Sequence, residues 1–434
     1  MHLSDLYAIF QKHPLVVTDS RRIESGCLFF ALKGDHFDGN RFAADALQRG
    51  AAYVVVDDPN LAGLPQHILV PNVLTTLQEL ARHHRRSFSI PFIGITGSNG
   101  KTTTKELVAG TLAMRFRVHF TQGNLNNHIG VPLTLLAIPA DAEIAVIEMG
   151  ANHQGEIDAL SRIAEPDFGL ITNIGKAHLE GFGGIEGVKK GKSELYRFLA
   201  ERKGTVFINA DEPFLEELAL PVDRRILYGR GKNVNYRIEL LDDQPTLRVG
   251  FSDADGSTHQ VQSQLIGHYN FGNIATAVAL GLHFGVPGQD IKTAIEQYTP
   301  ENMRSQVIRK GSNTIILDAY NANPSSTRQA LLTFGSISAP HKIAILGDML
   351  ELGDASHEEH QAIANLACEL QIPTILLVGT HYGGIELPTG AVHFPHAEAL
   401  RTQLMTSSFS NTHFLIKGSR GIKLETIVEA IKEE

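Results

Sequence analysis

The sequence predicts an α/β protein of three domains with open, mostly parallel sheets. Apolar runs of strand length alternate with helical segments from residue 91 onward, which is typical of parallel sheets covered by helices on both faces. Each run ends in polar or glycine residues. The length of 434 residues is enough for about three domains of ~150 residues each. We therefore expect a small α/β domain at 1–88, a central domain at 89–298 and a Rossmann-like domain at 299–434.

The composition excludes several classes of protein. Hydrophobic residues make up 43% of the chain and charged residues 20%, so an intrinsically disordered protein is excluded. The net charge of −9 argues against a large basic surface for nucleic acid or anionic lipid. The short basic cluster 82–86 is interpreted as a solvated helix face.

Cysteine content and the length of apolar runs bear on location. The chain has two cysteines, Cys27 and Cys368, so a disulfide framework and a multi-cysteine metal site are excluded, and a reducing cytoplasm fits. The N-terminus has no basic region followed by a cleavage site, and no apolar run reaches the ~18 residues that span a bilayer. We expect a cytoplasmic protein that binds neither membranes nor nucleic acid.

The first 88 residues predict a helix at 3–12, a second around 43–49, a strand within 51–58 and a helix at 73–87. Between the first two helices, polar residues crowd around two short apolar runs from Thr18 to Asn40. This pattern suits recognition of a polar, anionic ligand from loops, with Ser20, Arg21 and Asp38 as candidate contacts. A polar turn between strands explains the same pattern equally well.

Residues 91–106, PFIGITGSNGKTTTKE, predict a buried strand, a phosphate-binding loop and the first turn of a helix, as in the sheet of P-loop ATPases. Loop amides and the helix N-terminus attract phosphate oxygens, Lys101 can reach the β- and γ-phosphates, and Thr102 can ligate Mg²⁺. Ile95 stands where the strict P-loop spacing requires glycine, so the loop is a variant. The alternative is a chance Gly-Lys-Thr on a surface turn. The candidate ATP-binding residues are Gly97, Ser98, Asn99, Gly100, Lys101, Thr102 and Thr103.

Polar groups follow the next three apolar runs: Glu148, then Asn173 with His178, then Asn209 with Asp211. We expect them to converge on the loop, because ligands of open α/β sheets bind at the carboxyl ends of strands. Glu148 stands where a P-loop enzyme needs a carboxylate for Mg²⁺, although a solvated strand end is the alternative. A structural role remains the alternative for His178.

Two amide-rich stretches also have two interpretations. Asn124 and Asn127 can bond phosphate or carbohydrate oxygens, or they form a turn. Asn273 precedes an Ala-rich stretch and either faces a purine edge or caps that helix. From about 225 to 265 the pattern is short and β-like. The last third has four apolar strands, but Pro324 and two serines open the helix after the first, so the dinucleotide fingerprint is missing and nicotinamide binding is not expected.

Together these stretches resemble the Mur ligase family of ATP-dependent amide-forming enzymes in peptidoglycan synthesis. The motifs that carry the resemblance, in the family's order, are GITGSNGKTTTKE (94–106), NLNNHIGVPLTLL (124–136), EMG (148–150), ITNIGKAHLEGFG (171–183) and HYNFGNIATA (268–277). The resemblance implies that Lys101, His178 and a carbamylated lysine at Lys192 serve catalysis; a solvent-exposed lysine is the alternative for Lys192. It also implies two Mg²⁺ ions, held by Thr102, Glu148, His178 and Lys192. Adenine or ribose would meet Asn273, Asp318, Tyr320 and Asn321.

The front and back motifs, TDSR, GDHFDG, LDAYNANPSS and LGDMLELG, most resemble members that add D-Ala-D-Ala to UDP-N-acetylmuramoyl-tripeptide. That resemblance implies an acyl-phosphate intermediate and a UDP-binding role for 1–88. It also implies substrate contacts by Ser20, Arg21, Asp38, Asn124 and Asn127, and a monomer whose third domain closes over the site. Two alternatives stay open. One is another ligase of the superfamily, such as a folylpolyglutamate synthase, and the other is a P-loop switch or motor ATPase.

Overall fold

Three larger sheets follow one another along residues 2–433, the part of the chain that the computed structural model describes. Each sheet has apolar clusters on both faces, which is why its strands read as nearly continuous apolar runs. The expected class, α/β with mostly parallel sheets, is confirmed.

The N-terminal sheet is parallel throughout. Its strands lie in the order Val16–Val17, Leu28–Phe30, Tyr53–Val56 and His67–Leu69. A short antiparallel hairpin joins Lys33–Gly34 to Phe37–Asp38. The helices of this region are Leu3–Lys12, Ala43–Gln48 and Val73–Arg85, within about two residues of the sequence expectation.

The helix Val73–Arg85 fixes this region to the central sheet. Its apolar face belongs to one cluster that also contains Phe92 and Ala145 of the central strands. The interpretation of cluster 82–86 as a solvated face is wrong for Arg85, whose side chain is 9% exposed. Its guanidinium donates to the Glu165 carbonyl at 2.7 Å and pairs with Asp167 at 3.0 Å. A buried charge needs such partners, so this arginine is structural.

The central sheet is parallel over its larger part and ends in an antiparallel extension. Its strands lie in the order Thr258–Gln262, Arg248–Ser252, Tyr236–Asp242, Arg224–Gly229, Thr205–Asn209, Phe168–Ile171, Phe92–Thr96, Ile144–Glu148 and Val118–Phe120. The first four of these strands confirm the β-like pattern expected near 225–265. The strand Phe92–Thr96 is wholly buried between Phe168–Ile171 and Ile144–Glu148, which places the loop after it beside the carboxyl ends of those two strands.

Helices cover both faces of the central sheet. They are Lys101–Ala113, Gly130–Leu136, Glu156–Ala164, Leu179–Phe182, Ile185–Lys192, Glu194–Glu201, Leu215–Leu218, Asn270–His283 and Gly288–Gln297. The helices Lys101–Ala113 and Asn270–His283 pack together on one face, within the cluster that contains Ile93 and Ile95. That packing brings the second amide-rich stretch beside the phosphate loop.

The C-terminal sheet has an antiparallel edge strand on an otherwise parallel sheet. Its strands lie in the order Gln306–Lys310, Asn313–Asp318, Thr412–Lys417, His341–Gly347, Thr374–Val378 and Ala391–Phe394. Its helices are Pro324–Ser336, Ser356–Glu369 and Ala397–Leu404. Asn323 caps the first of them, as expected for a helix that opens on Pro324. Within 2–433, no helix has the length and apolar character needed to cross a bilayer.

Candidate active site

The phosphate loop has a conformation that its glycines make possible. Gly97 and Gly100 have φ of +144° and +78°, a region in which side chains other than glycine are strained. A Cβ on Gly97 would lie 2.0 Å from the Thr172 hydroxyl, so a larger residue does not fit. The helix then begins at Lys101, whose ammonium donates to the Gly97 carbonyl at 2.8 Å. The predicted strand, loop and helix start are confirmed.

Neighbouring segments hold this loop in place. The amide of Ser98 donates to the Asn173 carbonyl at 3.0 Å, and the amide of Asn99 donates to the Asn173 side-chain oxygen, also at 3.0 Å. The Ser98 hydroxyl donates to the Gly175 carbonyl at 3.1 Å and accepts from the Gly175 amide at 2.9 Å. These bonds fix the conformation of the loop, and the strand end at Asn173 supports it.

Glu148 lies against the loop with one oxygen engaged and one free. Oε1 accepts hydrogen bonds from the Thr102 hydroxyl at 3.2 Å and from the Asn126 amide at 2.7 Å. Oε2 has no hydrogen-bond partner, and the residue is 1% exposed. The alternative of a solvated strand end is wrong. A buried carboxylate oxygen without a partner is costly, and it fits a cation that is bound during function.

Lys192 is buried, in contrast to the exposed-lysine alternative. Its residue exposure is 0%, and its ammonium donates to the Ala151 carbonyl at 3.1 Å above the ring of Phe182. Burial lowers the pKa of Lys192 well below its ordinary value, and the positive charge of Lys101 lowers it further. Burial likewise lowers the pKa of Lys101, to about 8, with a smaller contribution from Arg304. Both lysines therefore lose protons more readily than an exposed lysine.

The C-terminal sheet contributes side chains that reach the loop. The Asn323 amide donates to the Asn99 side-chain oxygen at 2.7 Å, and the Lys176 amide donates to the Ser325 hydroxyl at 2.8 Å. The carboxylate of Glu351 bonds His178 through Nδ1. Residues more than 140 positions apart in the chain thus form one wall of the site.

The end of strand Asn313–Asp318 forms a second group of contacts. Asp318 pairs at 2.7 Å with Lys417, which is 1% exposed and also donates to the Asn321 carbonyl at 3.2 Å. The ring of Tyr320 lies under the guanidinium of Arg304, with 3.7 Å between ring centre and Cζ. A face-on guanidinium and a fixed carboxylate are groups that suit a nucleoside.

Asn273 lies in the first turn of its helix and does not cap it, so the capping alternative is wrong. Its side-chain oxygen accepts from the Thr104 hydroxyl at 2.9 Å, and its amide donates to the Asn270 oxygen at 2.7 Å. Asn127 forms a turn just before the helix Gly130–Leu136, where its side-chain oxygen accepts from the amides of Ile129 and Gly130. The turn interpretation therefore applies to Asn127, although that residue also faces the cavity.

Most of these groups line one cavity of about 1040 Å³. The expected convergence on the loop is confirmed for Glu148, Asn173, His178, Asn209 and Asp211. Other predicted residues on its wall are Ser98, Asn99, Gly100, Lys101, Thr102, Thr103, Asn127, Asn273, Asp318, Tyr320 and Asn321.

Six predicted residues lie off the wall of this cavity: Gly97, Lys192, Asn124, Ser20, Arg21 and Asp38. Gly97 and Lys192 are buried behind it. In the N-terminal region, Arg21 pairs with Asp19 at 2.8 Å, and Asp38 accepts from the Asn40 amide group at 2.8 Å. Such bonds between near neighbours are typical of polar turns, which was the alternative to ligand binding. A ligand role for this region stays a prediction.

Sequence reasoning missed Asn126, Arg304, Asn323, Ser325, Glu351 and Lys417. Signals existed for five of them. Lys417 ends an apolar strand, as Glu148 does, and Asn126 lies inside the amide run 124–128. Asn323, Ser325 and Glu351 lie within the motifs LDAYNANPSS and LGDMLELG. Arg304 lies in a loop without a periodic pattern, so its position depends on how the C-terminal sheet docks.

Comparison with known sequences gives three family matches. Residues 14–85 match the family described as "Mur ligase family, catalytic domain", residues 95–281 match "Mur ligase middle domain", and residues 303–420 match "Mur ligase, glutamate ligase domain". The matched ranges follow the three sheets in order.

Curated relatives are similar over nearly the whole chain. A UDP-N-acetylmuramoyl-tripeptide–D-alanyl-D-alanine ligase of Bacillus subtilis is 36% identical over 431 residues, which covers 96% of this chain and 93% of that protein. The enzyme of the same name from Escherichia coli is 33% identical, with coverage of 96% and 93%.

Solved structures give the same comparison. A crystal structure of MurF from Acinetobacter baumannii superposes with a TM-score of 0.85 at 33% identity and covers 95% of this chain and 92% of its own. MurF from Thermotoga maritima in complex with ADP also has a TM-score of 0.85, at 26% identity, with 96% of each chain covered. A folylpolyglutamate synthase of Mycobacterium tuberculosis has a TM-score of 0.63 at 15% identity over 82% of this chain and 94% of its own, which shows shared fold alone.

Proposed function

Because the chain belongs to the Mur ligase family, we propose that it joins D-Ala-D-Ala to UDP-N-acetylmuramoyl-tripeptide, with ATP converted to ADP and phosphate. It is an ATP-dependent peptide ligase. We also propose the domain boundaries 1–88, 89–298 and 299–434, which the matched ranges 14–85, 95–281 and 303–420 support.

One observation carries the proposal. The phosphate loop, the buried Glu148 and side chains of the C-terminal sheet face a single cavity of about 1040 Å³. A ligase must hold ATP, a carboxylate and an amine together, and a cavity of this size has room for parts of all three. A switch ATPase has no need of a cavity closed by a third domain.

The residues beside the loop fit Mg²⁺. Hard cations prefer oxygen ligands, and the partnerless Oε2 of Glu148 beside the Thr102 hydroxyl is such a donor set. Within residues 2–433, no cluster of three or more His, Cys, Asp or Glu side chains suits a metal. Thr102 and Glu148 would therefore share the ion with phosphate oxygens and water. When bound, Mg²⁺ would neutralise charge on the β- and γ-phosphates.

A second ion would be held near His178 by a carbamylated Lys192. Carbamylation requires a neutral amine, and the lowered pKa of Lys192 supplies one at a smaller cost than an exposed lysine would. The modified side chain would be an anionic oxygen donor of the kind that Mg²⁺ prefers. Its burial behind the cavity would orient that donor.

The first chemical step activates the substrate carboxylate. A carboxylate oxygen attacks the γ-phosphorus, the bond to the β-phosphate oxygen breaks, and ADP leaves with an acyl phosphate formed. The loop amides and Lys101 would bind the β- and γ-phosphate oxygens, because they are fixed donors beside the helix N-terminus.

The second step forms the amide bond. The amine of D-Ala-D-Ala attacks the acyl carbon, phosphate leaves, and the amine loses a proton. Contacts such as Asn323 to Asn99 and Ser325 to Lys176 would keep the C-terminal sheet over the site and exclude water that would hydrolyse the acyl phosphate. Asp318, Tyr320 and Asn321 would bind the nucleoside of ATP beside Asn273.

Phosphate release tests the proposal. The enzyme is incubated with ATP, UDP-N-acetylmuramoyl-tripeptide and D-Ala-D-Ala, and each is omitted in turn. We expect phosphate release to require all three and to match the amount of new pentapeptide. Release that is unaffected by omission of both peptide substrates would identify a switch ATPase instead. Turnover with folate and glutamate would identify the other ligase alternative.

The setting of the reaction follows from its substrates. ATP and UDP-linked precursors are cytoplasmic compounds, so we place the enzyme in the cytoplasm as a monomer that supplies wall precursor for cell shape and division. Gel filtration with light scattering checks the monomer, and depletion of the protein in cells should arrest wall growth with the tripeptide precursor accumulating.

A further inference from the structure

One contact between the central and C-terminal sheets involves a predicted catalytic side chain. Glu351 Oε2 bonds His178 Nδ1, and the Glu180 amide donates to the Glu351 carbonyl at 3.3 Å. Both partners have left-handed backbone, with φ of +53° at His178 and +63° at Glu351. Non-glycine residues adopt this conformation at a cost, and such strain concentrates at functional sites.

The loop that carries Glu351 is fixed by its own contacts. The Asp348 carboxylate accepts from the amides of His381 and Tyr382 at 3.0 and 3.1 Å. The amide of Met349 donates to Nε2 of the buried His360 at 3.0 Å, and the amide of Leu350 donates to the Ser419 hydroxyl at 3.0 Å. A loop anchored in this way presents Glu351 at a defined position, although its side chain is 49% exposed.

The chemistry of the pair fixes the imidazole. A carboxylate oxygen accepts, so Nδ1 of His178 is the donor in this hydrogen bond. Nε2 is then the ring nitrogen that Glu351 does not engage. A carboxylate bonded to one ring nitrogen is a common way to set the tautomer and rotation of a working histidine.

We propose that Glu351 is a positioning residue that orients His178 for the ligation reaction, and that docking of the C-terminal sheet completes this arrangement. The inference rests on the proposed function. Because the two residues belong to different sheets, His178 has its working orientation only while the sheets are in contact.

The test compares two carboxylates at the same interface. Glu351→Ala removes the contact, and Glu351→Gln permits either tautomer because an amide both donates and accepts. Glu359→Gln is the matched control, because Glu359 pairs with Lys176 across the same interface at 2.5 Å and does not contact His178. We expect kcat to fall about 10- to 100-fold in both Glu351 variants, with KM for ATP within about twofold of wild type. The control should keep kcat within about threefold.

A double variant separates positioning from general loosening. Glu351→Ala should add little to the loss already caused by His178→Asn, because residues that act as a unit are not additive. Equal losses in the Glu351 and Glu359 variants, or additive losses in the double variant, would overturn the proposal and leave a simple interface contact.

A readout without turnover tests the tautomer. Protein labelled with ¹⁵N-histidine is measured by multiple-bond ¹H–¹⁵N spectra, and the His178 signals are those that vanish in His178→Asn. We expect the Nδ1–H tautomer in wild type and a changed pattern in Glu351→Ala. An unchanged pattern would overturn the proposal even if wild type turns over. A wild type without ligase activity would instead refute the proposed function, while the spectra still decide the contact.

Discussion

The hydroxyl of Thr102 lies 3.2 Å from Oε1 of Glu148, across the carboxyl edge of the central sheet, while Oε2 of the same carboxylate has no partner. Thr102 lies in the first turn of a helix and Glu148 ends the neighbouring strand, so two buried residues 46 positions apart would both be ligands of the proposed Mg²⁺. A carboxylate at 1% exposure is costly unless cations offset its charge; Lys101 attracts Glu148, and a bound Mg²⁺ would offset the charge further.

Glu148→Gln should therefore lose activity and gain stability. Without the charge we expect kcat to fall by at least about 100-fold, in the range typical for loss of a group that neutralises transition-state charge. The melting temperature without Mg²⁺ should rise, since a buried anion is removed. Turnover and thermal unfolding, each measured against Mg²⁺ concentration, check both effects. Added Mg²⁺ should stabilise wild type and not the variant, and equal stabilisation of both would remove Glu148 as a ligand.

Lys101→Ala should abolish ligation and keep the fold. The ammonium bonds only loop carbonyls, at 2.8 and 3.3 Å, and no apolar contact of the core depends on it. The expected loss exceeds ~2–3 kcal/mol of transition-state stabilisation, or about 100-fold in kcat/KM. Circular dichroism checks the fold, and Lys190→Ala, at an exposed lysine, is the control. Near-normal turnover of a folded Lys101→Ala would refute the loop as the ATP site.

Lys192→Ala should lose most activity and regain part of it with acetate. The side chain is fully buried, so its removal leaves a cavity that a short carboxylic acid can enter to supply the missing oxygens. Lys192→Arg should not be rescued, because the guanidinium fills that space with positive charge. Turnover with and without acetate is measured for both, alongside carbon-13 spectra of wild type in labelled bicarbonate. Full activity of Lys192→Ala, or a missing carbamate signal during turnover, would exclude the modification.

Arg21→Ala should raise KM for the UDP substrate several-fold and leave KM for ATP unchanged. Its guanidinium is 87% exposed on a loop of the N-terminal region, where a diphosphate would find an unburied cation. The whole chain must be used, because the helix Val73–Arg85 shares its core with the central sheet and a chain starting near Ser89 would expose that core. Arg22→Ala is the neighbouring control. Equal effects of the two changes would reassign the UDP end to another surface.

Glu212→Gln should stabilise the protein in a pH-dependent way. Burial raises the pKa of Glu212 to about 7 from 4.5, and the charge of Asp211 adds to the shift. Between pH 4.5 and 7 the unfolded state loses this proton and the folded state keeps it. The free energy of unfolding of wild type therefore falls as pH rises through this range. The variant lacks this loss, and its advantage should grow to at most about 3 kcal/mol above pH 7. Urea unfolding at pH 5 and pH 8 measures it, with the exposed Glu216→Gln as control. A constant difference across this range would contradict the assignment.

The local sequence pattern was sufficient to predict most of the helices and strands. The strand Phe92–Thr96 and the helix from Lys101 follow from an apolar run, two turn glycines and a threonine-rich helix start, all within 16 residues. The Asn323 cap with Pro324 behind it is equally local. These features are set by short-range sterics and by hydrogen bonds between near neighbours.

The choice between alternative roles for single residues required the tertiary structure. The sequence left Glu148 either solvated or metal-binding and Lys192 either exposed or modified, because burial depends on which strands and helices surround a residue. The sequence also led to the interpretation of Arg85 as solvated, because the residues near it in the chain do not predict that the Glu165 carbonyl and Asp167 lie beside it. Desolvation and unpaired oxygens are properties of the assembled interior.

The sequence by itself determined the α/β class, the phosphate loop with Lys101 and Thr102, and the strand ends that meet it, because strand order along the chain and the shared direction of parallel strands place polar termini at one edge. Only the tertiary structure decided which distant groups complete the site. The contacts of Glu351 with His178 and of Asn323 with Asn99 depend on how the C-terminal sheet docks against the central one. The stacking of Arg304 on Tyr320 depends on how the C-terminal region itself folds. That docking is fixed by contacts between residues far apart in the chain, and neither hydrophobic periodicity nor local propensity predicts such contacts.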